Sequence, residues 1–276
     1  MRIAVVQMRS GIDPSTNAAT LVRALERAAE GGAGLVFTPE MSGLLDRDRV
    51  RAAVSITHES NDVVLAAVCA AAARLGLWVN LGSLALKPGG DETRYVNRGF
   101  LIDAEGAIRA RYDKMHLFDV DLPTGESWRE SSAYAPGGRA VLAETPAGRL
   151  GLSICYDLRF PDLYRTLSDA GAEILAVPAA FTVPTGQAHW HILLRARAIE
   201  AGCYVVAAAQ VGLHEDGRKT FGHSLVIDPW GEVLLDMGEE PGVGFAEIDG
   251  DRIAAVRARI PVISHRRPVP VAELVG

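Results

Sequence analysis

Short apolar runs separated by alanine-rich stretches of helical period set the tightest limit on how this chain folds. The run RIAVVQ leads into a helical stretch from about Ser15 to Glu30, closed by Gly31-Gly32, and then into the apolar run LVFTPE. Runs this apolar read as strands buried on both faces, and parallel strands need a helical crossover, so the segment is a β-α-β unit. A second alanine-rich helix, from about Glu59 to Leu75, passes through Gly76 into LWVNLGSLAL. The pattern then changes, because RYVNRGFLIDAEGAIRARYDK reads as two strands around a Glu-Gly turn. The second half repeats the logic with GRLGLSIC, a helix after Pro161, AEILAVPAAF, a helix from about Ala188 to Ala201, and CYVVAAAQ. It closes on GHSLVIDPWGEVLLD, a hairpin around Pro229-Trp230-Gly231. Crossovers mixed with hairpins predict an α/β fold with sheets of mixed direction covered by helices. No Pro/Gly/Ser-rich linker divides the halves, so residues 1–276 are expected to form a single domain of two similar halves. From about residue 260 a tail without periodicity is expected to wrap over a surface or a partner subunit.

Composition narrows the partners. The formal net charge is −6 with no basic block, which argues against a nucleic-acid surface and for a small-molecule partner. The N-terminal apolar stretch is too short for a signal peptide, and no run approaches the roughly 20 apolar residues of a membrane span. Three cysteines, an odd number without a CxxC pair, argue for a reducing, cytoplasmic setting over a disulfide framework.

Among these cysteines Cys155 stands apart. In GLSICYDLRFPDL the thiol falls where an apolar run gives way to charge, at the C-terminal end of a strand, with Pro161 placed to open a helix. Ligands bind at that edge of open α/β sheets, although an isolated cysteine is otherwise a small core hydrophobe. A thiol nucleophile needs a base and donors for an oxyanion. Of the seven histidines, His58, His214 and His265 lie in polar stretches, His189 and His191 flank Trp190, and only His116 and His223 stand near strand ends. LVFTPE delivers Glu40 to a strand end and ARYDKMHLFD delivers Lys114 to another. Each alone reads as a surface charge, but with Cys155 they make a thiol, a carboxylate and an ammonium that strand ends can bring to one sheet edge. Cys69 and Cys203, in apolar runs, read as packing residues. No spacing matches a zinc site and no Gly-rich phosphate loop is present, so neither metal nor cofactor is expected.

Three segments in order, FTPEMSG with Glu40, RARYDKMHLFD with Lys114 and GLSICYDLRFPDLYR with Cys155, resemble the signatures of the nitrilase superfamily, carbon-nitrogen hydrolases with a Glu-Lys-Cys triad. The resemblance continues through TGQAHWHILLRARAIE and GHSLVIDPWGEV and is strongest to its deaminated glutathione amidase and ω-amidase branch. It implies a four-layer α-β-β-α sandwich of two mixed sheets, assembled as a homodimer or higher homo-oligomer. It implies a thiol amidohydrolase that cleaves the terminal amide of a small carboxylate-bearing substrate through a Cys155 thioester and releases ammonia. Glu40 is then the general base, Lys114 and the Tyr156 backbone N–H stabilise the oxyanion, and Glu130 of SWRESSAY orients Lys114 and the amide. Arg159, a cation poorly placed for the helix dipole that follows it, is expected to grip the substrate carboxylate, a salt bridge to Asp157 or Asp162 being the alternative. Phe181 and Thr185 are expected in the same substrate pocket. The sequence departs from the pattern at His191, where the resemblance leads one to expect glutamate after His-Trp. Alternative activities are an N-carbamoyl amidase or nitrilase of the same superfamily, and a catalytically silent scaffold.

Overall fold

The computed structural model describes residues 1–121, 125 and 127–275. Its first half runs β1 (Arg2–Gln7), α1 (Pro14–Glu30), β2 (Leu35–Phe37), α2 (Arg49–Ser55), α3 (Val63–Leu75), β3 (Trp78–Leu86), β4 (Val96–Ile102) and β5 (Ile108–Asp113). A small hairpin of β6 (Asp119–Asp121) and β7 (Ser127–Arg129) leads to β8 (Val141–Thr145), β9 (Gly148–Leu152), α4 (Pro161–Asp169) and β10 (Ile174–Ala176). Then come α5 (Val183–Ala201), β11 (Tyr204–Ala207), β12 (Val211–Leu213), β13 (Lys219–Phe221), β14 (Leu225–Ile227), β15 (Val233–Asp236), β16 (Gly242–Glu247) and α6 (Gly250–Arg259).

Two six-stranded sheets result, ordered β16-β1-β2-β3-β4-β5 and β15-β14-β11-β10-β9-β8. Each has three parallel strands at its centre, β1-β2-β3 and β9-β10-β11, flanked by antiparallel neighbours. Side chains alternate across the strands. Ile3 and Val5 of β1 and Leu35 and Phe37 of β2 pack toward Leu150, Leu152 and Val206 of the second sheet. Ala4, Val6 and Val36 point the other way, against Leu21 and Leu25 of α1 and Val68 of α3. Helices α4 and α5 cover the outer face of the second sheet with Leu163, Leu167, Trp190 and Leu194, which completes an α-β-β-α sandwich. No helix among the described residues is long and apolar enough to cross a membrane.

Two helices begin away from their expected starts. Residues Glu59–Asn61 form a separate 3-10 turn, and α3 starts at Val63 because the Asp62 carboxylate accepts the Leu65 N–H at 2.8 Å. Helix α5 starts at Val183, five residues before the expected Ala188, and runs through Gly186. That glycine leaves space for a ring: a Cβ would stand 2.2 Å from Cγ of Phe221. The turn that carries Thr185 is thereby packed directly on β13. Helix α6, capped by Asp249 onto the Asp251 N–H, is not apparent from the sequence periodicity. Beyond it the tail has no regular structure, and Arg266 fastens it to Ser168 of α4 and the Glu200 carbonyl of α5.

Gly186→Ala therefore overpacks the contact between α5 and Phe221 and should destabilise the protein by about 1–3 kcal/mol in chemical unfolding. An unchanged unfolding midpoint would show that Phe221 can move aside freely.

Candidate active site

Glu40 follows β2 by three residues, Lys114 immediately follows β5, and Cys155 lies three residues beyond β9. The turn bearing Glu40 is pinned to β3: the Gly82 N–H bonds Thr38 Oγ1 at 3.0 Å and the Ser42 N–H bonds the Ser83 carbonyl at 3.0 Å. Contact is so close that a Cβ on Gly82 would meet the Thr38 carbonyl at 2.1 Å, so only glycine fits. Cys155 opens a 3-10 turn, Cys155–Arg159, with φ of 49°, a left-handed conformation that a non-glycine residue adopts only when its surroundings enforce it. The enforcement is visible: the Cys155 N–H bonds the Pro178 carbonyl at 2.9 Å, and the fully buried Asp157 carboxylate anchors the turn. Asp157 accepts from the Ile154 N–H at 2.9 Å, the Tyr112 hydroxyl at 2.7 Å and the His116 N–H at 2.9 Å, and meets His116 Nδ1 at 2.7 Å.

The three side chains converge. Lys114 Nζ donates to Glu40 Oε1 at 2.9 Å and to the two Glu130 oxygens at 3.1 and 2.8 Å. Asn97 Nδ2 bridges the same carboxylates, 3.0 Å from Glu40 and 3.3 Å from Glu130. Backbone N–H groups complete the cage, Ala180 to Glu40 Oε2 at 2.9 Å and Phe118 to Glu130 Oε2 at 2.7 Å. Glu40, Lys114 and Cys155 are all nearly sealed from solvent, and the Glu40 and Lys114 charges both act on the thiol. Burial pushes the Glu40 carboxyl up, but the Lys114 ammonium beside it outweighs burial and holds it below the usual carboxylate range. Burial likewise disfavours the Lys114 ammonium, yet Glu130, Glu40 and Cys155 hold it charged, well above the ordinary lysine value. Burial and then the Glu40 charge push the Cys155 thiol well above its ordinary value, against the pull of Lys114. The electrostatics thus favour a neutral thiol, an ionised carboxylate and a charged ammonium, a set able to supply a nucleophile, a proton acceptor and a fixed positive charge.

These groups open onto a cavity of about 480 Å³, whose walls include Tyr156, Phe181, Thr185, Trp128 and Arg218.

A family model described as carbon-nitrogen hydrolase matches residues 2–258. The chain belongs to the carbon-nitrogen hydrolase family. It is 41% identical over 270 residues to the deaminated glutathione amidase of Mus musculus, covering 96% of this chain and 83% of that protein. It is 40% identical to the deaminated glutathione amidase of Synechocystis, over 95% of this chain and 97% of that one. The solved NitFhit protein of Caenorhabditis elegans superposes with a TM-score of 0.89 at 40% identity, over 96% of this chain and 65% of that chain. The corresponding sequence, a nitrilase and fragile histidine triad fusion, is matched over 60% of its length. The chain is thus a hydrolase of the amidase kind within the nitrilase superfamily, and the four-layer sandwich is that family's fold.

Within this hydrolase the remaining expected positions fall as follows. Phe181 and Thr185 line the cavity with Tyr156, whereas Arg159 stands beside it, its guanidinium 5.5 Å from the Phe181 ring centroid and 3.3 Å from His189 Nδ1. Arg159 forms no salt bridge with Asp157 or Asp162 among the described residues. His116 stacks on Phe160 and turns its Nδ1 to Asp157. His191 bonds Asp236 at 2.9 Å, as does His223, and none of the three lines the cavity. Asn97, Asp157 and the cavity arginines escaped the sequence reading. Asn97 left little signal, standing next to Arg98 in the polar first half of strand β4.

The charges around the thiol make opposite predictions for its titration. Lys114→Ala removes the stabilising cation and should shift the pH midpoint of Cys155 alkylation by iodoacetamide upward, whereas Glu40→Gln removes the repelling anion and should shift it downward. Midpoints that move the same way in both variants would refute this electrostatic assignment.

Proposed function

We propose that this carbon-nitrogen hydrolase is a thiol amidase for small carboxylate-bearing amides of the deaminated glutathione or α-ketoglutaramate type. The observation that carries this reading is the convergence on one cavity of Cys155, held in a left-handed turn, and of Glu40 and Lys114, ion-paired at 2.9 Å. Sulfur attacks the amide carbonyl as its proton passes to Glu40, and the oxyanion forms toward Lys114 and the Tyr156 N–H. Glu40 then returns the proton to the departing nitrogen, the C–N bond breaks, and a thioester remains. Glu40 next takes a proton from water, whose oxygen displaces sulfur and frees the acid, and Cys155 recovers its proton. Glu130, bonded to Lys114 through both oxygens, orients that cation. A primary amide such as α-ketoglutaramate releases ammonia, whereas deaminated glutathione, whose amides are all substituted, releases an amine.

Arg159, poised over Phe181, is the candidate grip for the carboxylate of the acyl half, with Phe181 and Thr185 beside it. Assembly as a homodimer or larger is supported by exposed Ile192 and Ile199 on α5 beside Trp230, Val233 and Leu234 of the β14–β15 hairpin, and light scattering that found only monomer would exclude it. A reducing, cytoplasmic setting is supported by three unpaired cysteines.

The wild-type enzyme should hydrolyse α-ketoglutaramate and deaminated glutathione, followed by release of ammonia and of amine respectively. Glu40→Gln should lose about 10²–10⁴-fold in turnover with substrate binding largely kept. A wild-type enzyme that spares both amides while releasing ammonia from nitriles would favour the nitrilase alternative. Separately, Arg159→Lys should lower kcat/KM on α-ketoglutaramate by about tenfold or more and leave a small uncharged amide, itself a poor substrate, little changed. Equal losses on both would make Arg159 a structural support of the Cys155 turn.

A further inference from the structure

A second cluster of ligand-bearing side chains lies outside the cavity, between α5 and β15, the edge strand of the second sheet. His191 comes from α5, His223 follows β13 by two residues, and Asp236 ends β15. His191 Nε2 stands 2.9 Å from Asp236 Oδ2, and His223 Nδ1 stands 2.9 and 3.2 Å from the two Asp236 oxygens. One atom of each residue therefore lies within 4.8 Å of the other two, with both imidazoles half-buried and the carboxylate exposed. None of the three takes part in the amide chemistry described above.

The cluster is held in place by its surroundings. His223 has a left-handed φ of 52°, fixed because its N–H bonds the Gly238 carbonyl at 2.7 Å and its own carbonyl accepts Trp190 Nε1 at 2.8 Å. Its ring stacks on Phe221, the centroids 4.5 Å apart and the planes 25° from parallel, and His191 meets the same ring edge-on at 6.3 Å. Asp236 Oδ1 accepts the Gly238 N–H at 2.9 Å. Arg195, one turn further along α5, is spent on the Gly231 carbonyl at 2.8 Å and leaves the carboxylate to the imidazoles. Side chains locked in this way by packing and hydrogen bonds are what a metal site requires of its scaffold.

The donor set selects the ion. Two imidazole nitrogens and one carboxylate suit zinc, whereas calcium and magnesium call for oxygen ligands throughout and softer ions for thiolate. Around a tetrahedral zinc with bonds of about 2.0–2.2 Å, neighbouring ligand atoms stand about 3.3–3.5 Å apart. The nitrogen–oxygen separations of 2.9 and 3.2 Å are close to that, so small side-chain rotations admit the ion. Zinc then replaces the proton that each ring nitrogen shares with Asp236, and each imidazole keeps its proton on the other nitrogen.

We propose that His191, His223 and Asp236 form a zinc site that clamps α5 to the edge of the second sheet, with a fourth position open to water. No short sequence spacing announces it, because its ligands come from three separate elements. The site is structural and independent of which amide is hydrolysed.

The test titrates zinc chloride into metal-free Cys155→Ala protein, a background that removes the cavity thiol as a competing ligand, and reads affinity and stoichiometry by calorimetry. One equivalent should bind. Adding His191→Gln, which keeps a good helix former on α5, or Asp236→Asn should weaken that binding by at least about tenfold. Zinc should raise the unfolding midpoint of the Cys155→Ala protein and leave that of the His191→Gln double variant unmoved. Excess magnesium should not displace the zinc. The midpoints without metal show directly that each variant folds. An absence of saturable binding, or one equivalent bound with the same affinity after both His191→Gln and Asp236→Asn, would overturn the proposal, and displacement by magnesium would overturn the choice of ion.

Discussion

The Lys114 ammonium, enclosed between the Glu40 and Glu130 carboxylates, is the contact on which the arrangement of the site depends. A buried charge survives only when its partners satisfy it, and removing one partner of such a group commonly destabilises a protein by about 3–5 kcal/mol. Here the partners come from the ends of β2 and β5 and from the segment after β7, so neutralising one cation draws three separate stretches of chain together. The same enclosure fixes the protonation pattern. Lys114 holds the Glu40 carboxyl low, and burial together with the Glu40 charge disfavours loss of the neighbouring thiol proton.

The sandwich supplies this enclosure cheaply because both sheets have parallel centres. Glu40 and Cys155 follow central strands of different sheets, whose apolar faces are pressed together by Phe37, Leu152 and their neighbours. Charged side chains at the strand ends therefore meet at the rim of a packed interior, where water is scarce and Coulomb interactions are strong. Asp157 performs the corresponding task for backbone, gathering four hydrogen-bonded contacts that hold the reactive turn in its left-handed conformation before any substrate binds.

Much of this was legible in the sequence, and the limits have physical causes. Apolar runs marked the central strands; Glu40 and Cys155 were readable as strand-end residues because each breaks an apolar run with a reactive group, and Lys114 because it closes a strand-like segment. Glu130 carries no such signal of its own, lying in a polar segment after a short hairpin, and only the resemblance pointed to it. The roles of Asn97 and Asp157 were hard to read for a related reason: they lie in partners far along the chain, Glu40 for Asn97 and Tyr112 for Asp157. Helix α5 runs through Gly186, which lies against a ring on β13, a tertiary demand that local propensity does not register.

The pairing of β16 with β1 has a consequence for biosynthesis. Six residues match in register, from Arg2 with Glu247 to Gln7 with Gly242, and Gln7 Nε2 adds bonds to the Gly238 and Glu240 carbonyls at 2.9 Å. The outer strand of the first sheet thus leaves the ribosome only after every strand of the second sheet has emerged. Until then β1, apolar along most of its length, presents an open edge of unpaired N–H and C=O groups. The nascent chain carries that edge, available to pair wrongly, through the synthesis of everything between β1 and β16, and the second sheet is the half able to assemble first.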